Sequence, residues 1–260
     1  MSNKFLKKKK RVLFHAMKEI KIFNIKTHVL YKKEFLDIIA SNLKEGKQIV
    51  QNGVNAASII GLTNNKELIQ AYNNSDLINI DGMSMVWALR FLGYSVPERV
   101  ACPDLANDIL KLAEIENYSI FLFGAKEASL SQSIKNLKNR FPKLNIAGHR
   151  NGYYQASQEL AIVGMINNSN PDILLLGMPS PQKELFVEKY KDQLQVKYFF
   201  GVGGFFDILS GKIRRAPLWM QKSGLEWVYR FIQEPRRMRS RYIIGNIKFI
   251  ILVLKEKWIK

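Results

Sequence analysis

Short, wholly apolar runs recur along this chain with stretches of helical period between them, and few folds accommodate that alternation. The runs at 172–177 (DILLLG) and 198–204 (YFFGVGG) have no polar face. A strand of that kind must be covered on both sides, as in a parallel sheet flanked by helices. Strands are expected at Gln48–Gln51, Leu77–Ile80, Ile120–Phe123, Asn145–Gly148, Ile173–Leu176 and Tyr198–Phe200. Helices are expected at Lys33–Leu43, Lys66–Asn73, Ser84–Leu92, Asp104–Glu116, Lys126–Arg140, Ser157–Asn167 and Gln182–Tyr190. The repeated βα alternation, joined by right-handed crossovers, predicts an α/β fold: a mostly parallel sheet flanked by helices, Rossmann-like. Residues 21–30 alternate loosely, as a strand or hairpin arm. Beyond Phe205 the pattern becomes helical and basic. Helices are expected over Pro217–Gln233 and Arg236–Lys257, with a break at Glu234–Pro235 that puts the proline in a new first turn.

Charge divides the chain in the same way. Of a net +18, residues 1–26 hold nine Lys/Arg and one acid, and residues 205–260 hold thirteen and four; the stretch 27–204 holds eighteen and seventeen. The expected organisation is a basic lead-in (1–26), an α/β catalytic body (27–204) and a basic helical appendage (205–260). Two basic ends on a nearly neutral body suggest an anionic partner, either nucleic-acid phosphates or the anionic face of a membrane. On the last helix Ile243, Ile247, Ile250, Ile251 and Leu254 keep helical spacing, while Arg241, Lys248 and Lys255 form another stripe. Such a helix either lies at a membrane interface or packs its apolar stripe on the body. A groove that binds nucleic acid would set aromatic residues among its charges, so a membrane surface is expected and nucleic acid is not.

No segment reaches the ~20 apolar residues that span a bilayer; the longest run near the C-terminus is Phe249–Leu254. The basic N-terminus leads into no apolar core with a small-residue cleavage site, so no signal peptide is expected. The lone Cys102 excludes an internal disulfide and fits a reducing compartment, hence a cytoplasmic protein. His15, His28 and His149 are scattered, which argues against a metal cluster. No cofactor is expected.

Several constellations suit chemistry. In LINIDGM (77–83) a strand ends in Asp81, where a carboxylate can take a proton from a substrate hydroxyl; spacing alone favours the other reading, that Asp81 caps the helix that follows. In QNGVNAA (51–57), Gly53 permits close approach and Asn55 offers donors and an acceptor, as they would in an ordinary turn. Arg99, in PERVACPDL (97–105), either clamps a diphosphate or is a solvated loop charge. Gly201, Gly203 and Gly204 form a turn after a buried strand, suited to cradling phosphate or simply tight; the pattern is not that of a dinucleotide site. Arg230, Arg236, Arg237, Arg239 and Arg241 cluster around Pro235.

Taken in order, VNAA, IDGMSMVWALRFLG, PERVACPDL, FLFGA, NGYY, LLLGMPSPQKELF, GVGGFFDILSGKIRRAP and LEWVYRFIQEPRRMRSR resemble the WecG/TagA/CpsF family of bacterial glycosyltransferases, from about residue 48 to 241. The resemblance implies an inverting, metal-independent enzyme at the inner face of the plasma membrane. It would move a sugar from a UDP-sugar to a polyprenyl-diphosphate-linked sugar in synthesis of teichoic acid, capsule or exopolysaccharide. Asp81 then matches the catalytic base, Asn55 a pocket asparagine and Arg99 a leaving-group arginine. Arg230 and Arg237 match appendage arginines that bind the lipid diphosphate; association into a homo-oligomer is also implied. Three positions depart from the family's pattern. Gly53 stands where a Thr is frequent, Ser240 where a third arginine falls, with Arg239 and Arg241 beside it, and Lys183 where a Gln is usual, next to Gln182. The competing readings are a basic nucleic-acid-binding protein and a non-catalytic membrane scaffold.

Overall fold

The computed structural model describes residues 18–239 and 244–259. Six strands form one sheet: β3 (Ile49–Val54), β4 (Leu77–Ile80), β5 (Ile120–Gly124), β6 (Ile146–Arg150), β7 (Ile173–Gly177) and β8 (Tyr198–Gly201). Their order is β4-β3-β8-β7-β5-β6, and every pairing is parallel. The central strands carry large apolar side chains on both faces. Ile120, Leu122, Ile173, Leu175, Tyr198 and Phe200 enter the core on one side. Phe121, Phe123, Leu174, Leu176 and Phe199 enter that on the other. This two-sided burial is the physical meaning of the uninterrupted apolar runs.

Helices α1 (Lys32–Lys44), α2 (Ala56–Leu62), α3 (Lys66–Asn73), α4 (Met83–Phe91), α5 (Cys102–Glu116), α6 (Glu127–Arg140), α7 (Glu159–Ser169) and α8 (Gln182–Tyr190) connect and cover the strands. An antiparallel hairpin precedes them, β1 (Glu19–Ile22) and β2 (Ile25–His28), turned by Phe23 and Asn24 at positive φ. It seals the β4 edge. The Ile78 N–H donates to buried His28 Nδ1 at 3.0 Å, and Ile22 and Ile25 join the adjoining core. On the same strand the Val100 N–H donates to Ile80 O at 2.9 Å. Covering an edge in this way leaves no row of open backbone groups for another chain.

The elements cross both boundaries drawn from charge. Residues 19–26, the end of the basic lead-in, pack on the body. At the other end α9 (Phe205–Leu209) places Phe205 and Phe206 in the body's core. A Cβ on Gly177 would overlap the Phe206 ring, so β7 ends on glycine where this helix crosses it. The appendage continues as α10 (Leu218–Lys222), α11 (Glu226–Gln233), α12 (Pro235–Arg239) and α13 (Gly245–Ile259). The single helix expected over Pro217–Gln233 is thus two. It breaks at Gly224, which has φ +78° and whose missing Cβ would meet Trp87. On α13 it is Phe249 and Val253 that reach the body. The expected stripe of Ile247, Ile250, Ile251 and Leu254 stays exposed, and Ile243 lies outside the described residues.

Candidate active site

All six strands of the sheet point their carboxyl ends at one wide cleft of about 1370 Å³. Ligands of open parallel sheets bind at that edge, where the strand order reverses. Here Gly53 lies near the end of β3 and Asn55 follows it, Asp81 follows β4, Gly152 to Gln155 follow β6, Met178 to Lys183 follow β7, and Gly201 to Gly204 end β8. A second cavity of about 590 Å³ adjoins it between α4, α11 and α13. Its wall is largely apolar, with Trp87, Phe91, Trp227, Phe249, Ile250 and Leu254, and Arg99, Arg214, Arg215 and Arg230 also line it. Asn55, Ala57, Asp81, Pro103, Ile208 and Arg230 line both.

Asp81 does not cap the helix after it. The N-cap of α4 is Gly82, with no side-chain hydrogen bond. Instead Asp81 Oδ1 accepts the Cys102 N–H at 2.7 Å, at the start of α5. Its Oδ2 accepts from Asn55 Nδ2 at 3.3 Å. Asn55 is itself fixed, because its Oδ1 caps α2 by accepting the Ala57 and Ser58 N–H groups at 3.1 and 3.2 Å. With the amide oxygen committed to the helix, the amide nitrogen must face the carboxylate. Gly53 makes room for Cys102: a Cβ there would overlap the Cys102 Sγ. Burial, followed by the Asp81 charge, holds the Cys102 thiol well above its ordinary pKa, so it stays a neutral packing group.

Arg99 lies in the second cavity and is tied to the appendage. Its Nη2 donates to Glu226 Oε2 at 2.8 Å. Arg215 Nε takes the other oxygen of Glu226 at 2.8 Å, and its Nη1 donates to Asp104 Oδ1 at 2.8 Å. Arg99 and Asp104 of the body are thereby locked to Arg215 and Glu226 of the appendage. Arg230 lies over the glycine turn: a Cβ on Gly204 would stand 2.9 Å from its Nη2. Within that turn the Val202 and Gly203 N–H groups both donate to Leu176 O, so they serve the fold. Gln182 Nε2 donates to Gly152 O at 3.4 Å, toward the β6 side of the cleft. Lys183 also lines the cleft, largely buried, and its Nζ pairs with Glu184. Arg237 and Arg239 lie on α12, Arg239 exposed, and Arg241 falls outside the described residues.

Sequence reasoning passed over Arg215, Glu226, Glu184 and Tyr72. Arg215, Glu226 and Glu184 stand inside segments that carry the family resemblance, RRAP, LEWVYR and PQKELF, with no role attached there. Glu184 and Tyr72 acquire theirs only through each other, with the Tyr72 O–H 3.2 Å from Glu184 Oε1. Among the described residues no group of three or more His, Cys, Asp or Glu is placed to hold a metal ion, and no helix is long and apolar enough to cross a membrane.

A parallel sheet with a cleft across its strand ends, and a fixed carboxylate between that cleft and an apolar cavity, suits a glycosyltransferase. The chain belongs to the glycosyl transferase WecG/TagA/CpsF family, which residues 20–260 match. It is similar to the N-acetylglucosaminyldiphosphoundecaprenol N-acetyl-beta-D-mannosaminyltransferase of Bacillus subtilis (strain 168), 29% identical over 224 residues that cover 86% of each chain. The protein of the same name from Bacillus spizizenii (strain ATCC 23059 / NRRL B-14472 / W23) is 31% identical over 185 residues, 71% of this chain and 70% of that one.

Proposed function

We propose that this enzyme transfers a sugar from a UDP-sugar to a polyprenyl-diphosphate-linked sugar, with inversion and without a required metal. The observation that carries the reading is the position of Asp81, on the partition between the polar cleft and the apolar cavity. The cleft suits a nucleotide-sugar. The apolar cavity, with arginines in its lining, suits a prenyl chain ending in diphosphate. The names of the two relatives support the acceptor class: both describe transfer to an undecaprenyl-diphosphate-linked N-acetylglucosamine.

In this mechanism the acceptor hydroxyl attacks the anomeric carbon from the face opposite the nucleotide. Its oxygen bonds to that carbon while the bond to the β-phosphate oxygen breaks, the electron pair staying on the phosphate. Asp81 takes the hydroxyl proton. The Asn55 amide and the Cys102 N–H fix which carboxylate oxygen faces the substrate. UDP and the extended lipid leave.

The proposed setting is the inner face of a bacterial plasma membrane, with the protein held peripherally at the anionic surface and able to self-associate. The decisive experiment is a screen of UDP-sugars against a short-chain polyprenyl-diphosphate N-acetylglucosamine, with products read by mass spectrometry and anomeric configuration by NMR. Excess EDTA is included in parallel. Transfer with inversion that persists in EDTA is expected. Loss in EDTA with recovery in Mg²⁺ or Mn²⁺ would remove the metal-independent part, and no product from any UDP-sugar would remove the whole.

A further inference from the structure

Lys183 is a buried charge for which the mechanism above has no use. It is the second residue of α8, its side chain is only 9% exposed, and its Nζ pairs with Glu184, whose side chain is fully buried. Gly201 on the adjacent strand end makes the space for it: a Cβ there would stand 2.8 Å from Lys183 Cε and 2.7 Å from Asn52 Oδ1. The same Glu184 oxygen lies 3.2 Å from the Tyr72 hydroxyl, which is also 3.2 Å from Gly53 O. Burial and the Glu184 charge push the Tyr72 phenol well above its usual pKa, so it is a neutral donor that helps hold the carboxylate.

A buried ion pair contributes little stability over an apolar pair of the same size. Its placement in the lining of the large cleft therefore needs another reason. Among the described residues four cations line that cleft, Lys126, Lys183, Lys212 and Arg230, and of these Lys183 alone is buried. Arg99, the expected leaving-group residue, lines the other cavity with its guanidinium on Glu226. Lys183 stands where β3 and β8 meet, one strand from Asp81.

We propose that Lys183 is the cation that carries the diphosphate leaving-group charge in this chain. The inference rests on the glycosyl-transfer reading above. As the bond from the anomeric carbon to the β-phosphate oxygen breaks, that oxygen gains the electron pair. Lys183 keeps its proton and donates a hydrogen bond to the oxygen, while Glu184 holds the ammonium in place and Asp81 takes the acceptor's proton.

The test compares wild type, Lys183→Met, Lys183→Gln and the double variant Lys183→Met/Glu184→Gln. Each is measured for kcat, KM for the UDP-sugar, UDP affinity by calorimetry and thermal midpoint. Lys183→Met is expected to lower kcat about 100-fold and weaken UDP about tenfold, with Lys183→Gln between it and wild type. The double variant, which leaves no unpaired buried charge, is expected to regain the wild-type midpoint and remain slow. Recovery of both midpoint and kcat in the double variant would show a purely structural ion pair and overturn the proposal. So would a folded Lys183→Met enzyme within about threefold of wild type in kcat. If wild type transfers from no UDP-sugar, the transfer reading fails by itself. UDP affinity then still decides the contact: loss in the folded double variant supports Lys183 at the diphosphate, and unchanged affinity removes it.

Discussion

Asp81 is held by two neighbours that are themselves immobile, a backbone N–H at the start of α5 and an amide whose other end caps α2. The carboxylate is thus aimed before any substrate arrives. Asp81→Asn keeps the shape but cannot take a proton, and transfer is expected to fall ~10²–10⁴-fold with the thermal midpoint little changed. A mutant retaining near-wild-type turnover would return the residue to a structural role. A second pair is matched by volume: Gly53 lacks the Cβ that Cys102 Sγ would overlap. Gly53→Thr is expected to cost about 1–3 kcal/mol in urea unfolding through overpacking, and adding Cys102→Ala should recover part of it. A Gly53→Thr protein as stable as wild type would show that the thiol moves aside freely. Asp81 drew attention because it stands at the end of an apolar run, where a parallel sheet puts its ligands, whereas Gly53 and Asn55 stood out only as a strand-to-helix turn and through the family resemblance. Cys102 was counted only as a lone thiol, since its contact with Gly53 spans 49 positions of sequence. Arg99 was legible as a charge near the site, but its commitment to Glu226 depends on how the appendage folds back, and no local pattern encodes that.

The six sheet strands and the body helices other than α2 followed from periodicity because each buries a face that the sequence must supply; α2, of seven residues, is too short to show one. The appendage obeyed it less well. Gly224 splits a helical run because Trp87 occupies the space beside it, a constraint imposed from another element. Likewise Phe205 and Phe206 read as the start of a tail, yet complete the core around β7. Truncation after Gly204 is therefore expected to leave an unfolded body, each lost Phe side chain costing roughly 3–5 kcal/mol. A cut after Ala216 keeps both, and its circular dichroism melt should remain cooperative; equal melts for the two truncations would contradict this. The β1–β2 hairpin supplies a pH signature. Burial, with Lys26 nearby, lowers the His28 pKa from 6.5 to about 4. His28 is neutral in the fold and accepts the Ile78 N–H, whereas the unfolded chain protonates it more readily. Its stabilisation is thus complete above pH ~6.5 and falls as the pH drops toward 4, by roughly 3 kcal/mol in all. Urea midpoints across that range should show the loss, and His28→Asn, which keeps an acceptor without titrating, should flatten it. An unchanged slope in the variant would assign the dependence to other groups.

At the scale of the whole molecule, the appendage presents apolar and basic groups together. Leu218, Trp219, Ile232, Ile247, Ile251 and Trp258 are exposed on a segment of net +9. Basic residues near an anionic surface add about 1 kcal/mol each, and such attraction is screened over ~8–10 Å at physiological salt. The protein is expected to sediment with anionic liposomes, less with neutral ones, and less again at high salt. A cut after Ala216 should abolish the binding; retention by the truncated body would move the anchor to the basic N-terminus. The partition formed by Asp81 has a different kind of consequence. Among the described residues six line both chambers, while the strand-end loops line most of one and the appendage shares the other with α4 and its neighbours. Under the proposed reaction, substitutions in the loops are expected to change which sugar is delivered without disturbing which lipid receives it, so that two specificities drift independently on the two sides of one wall.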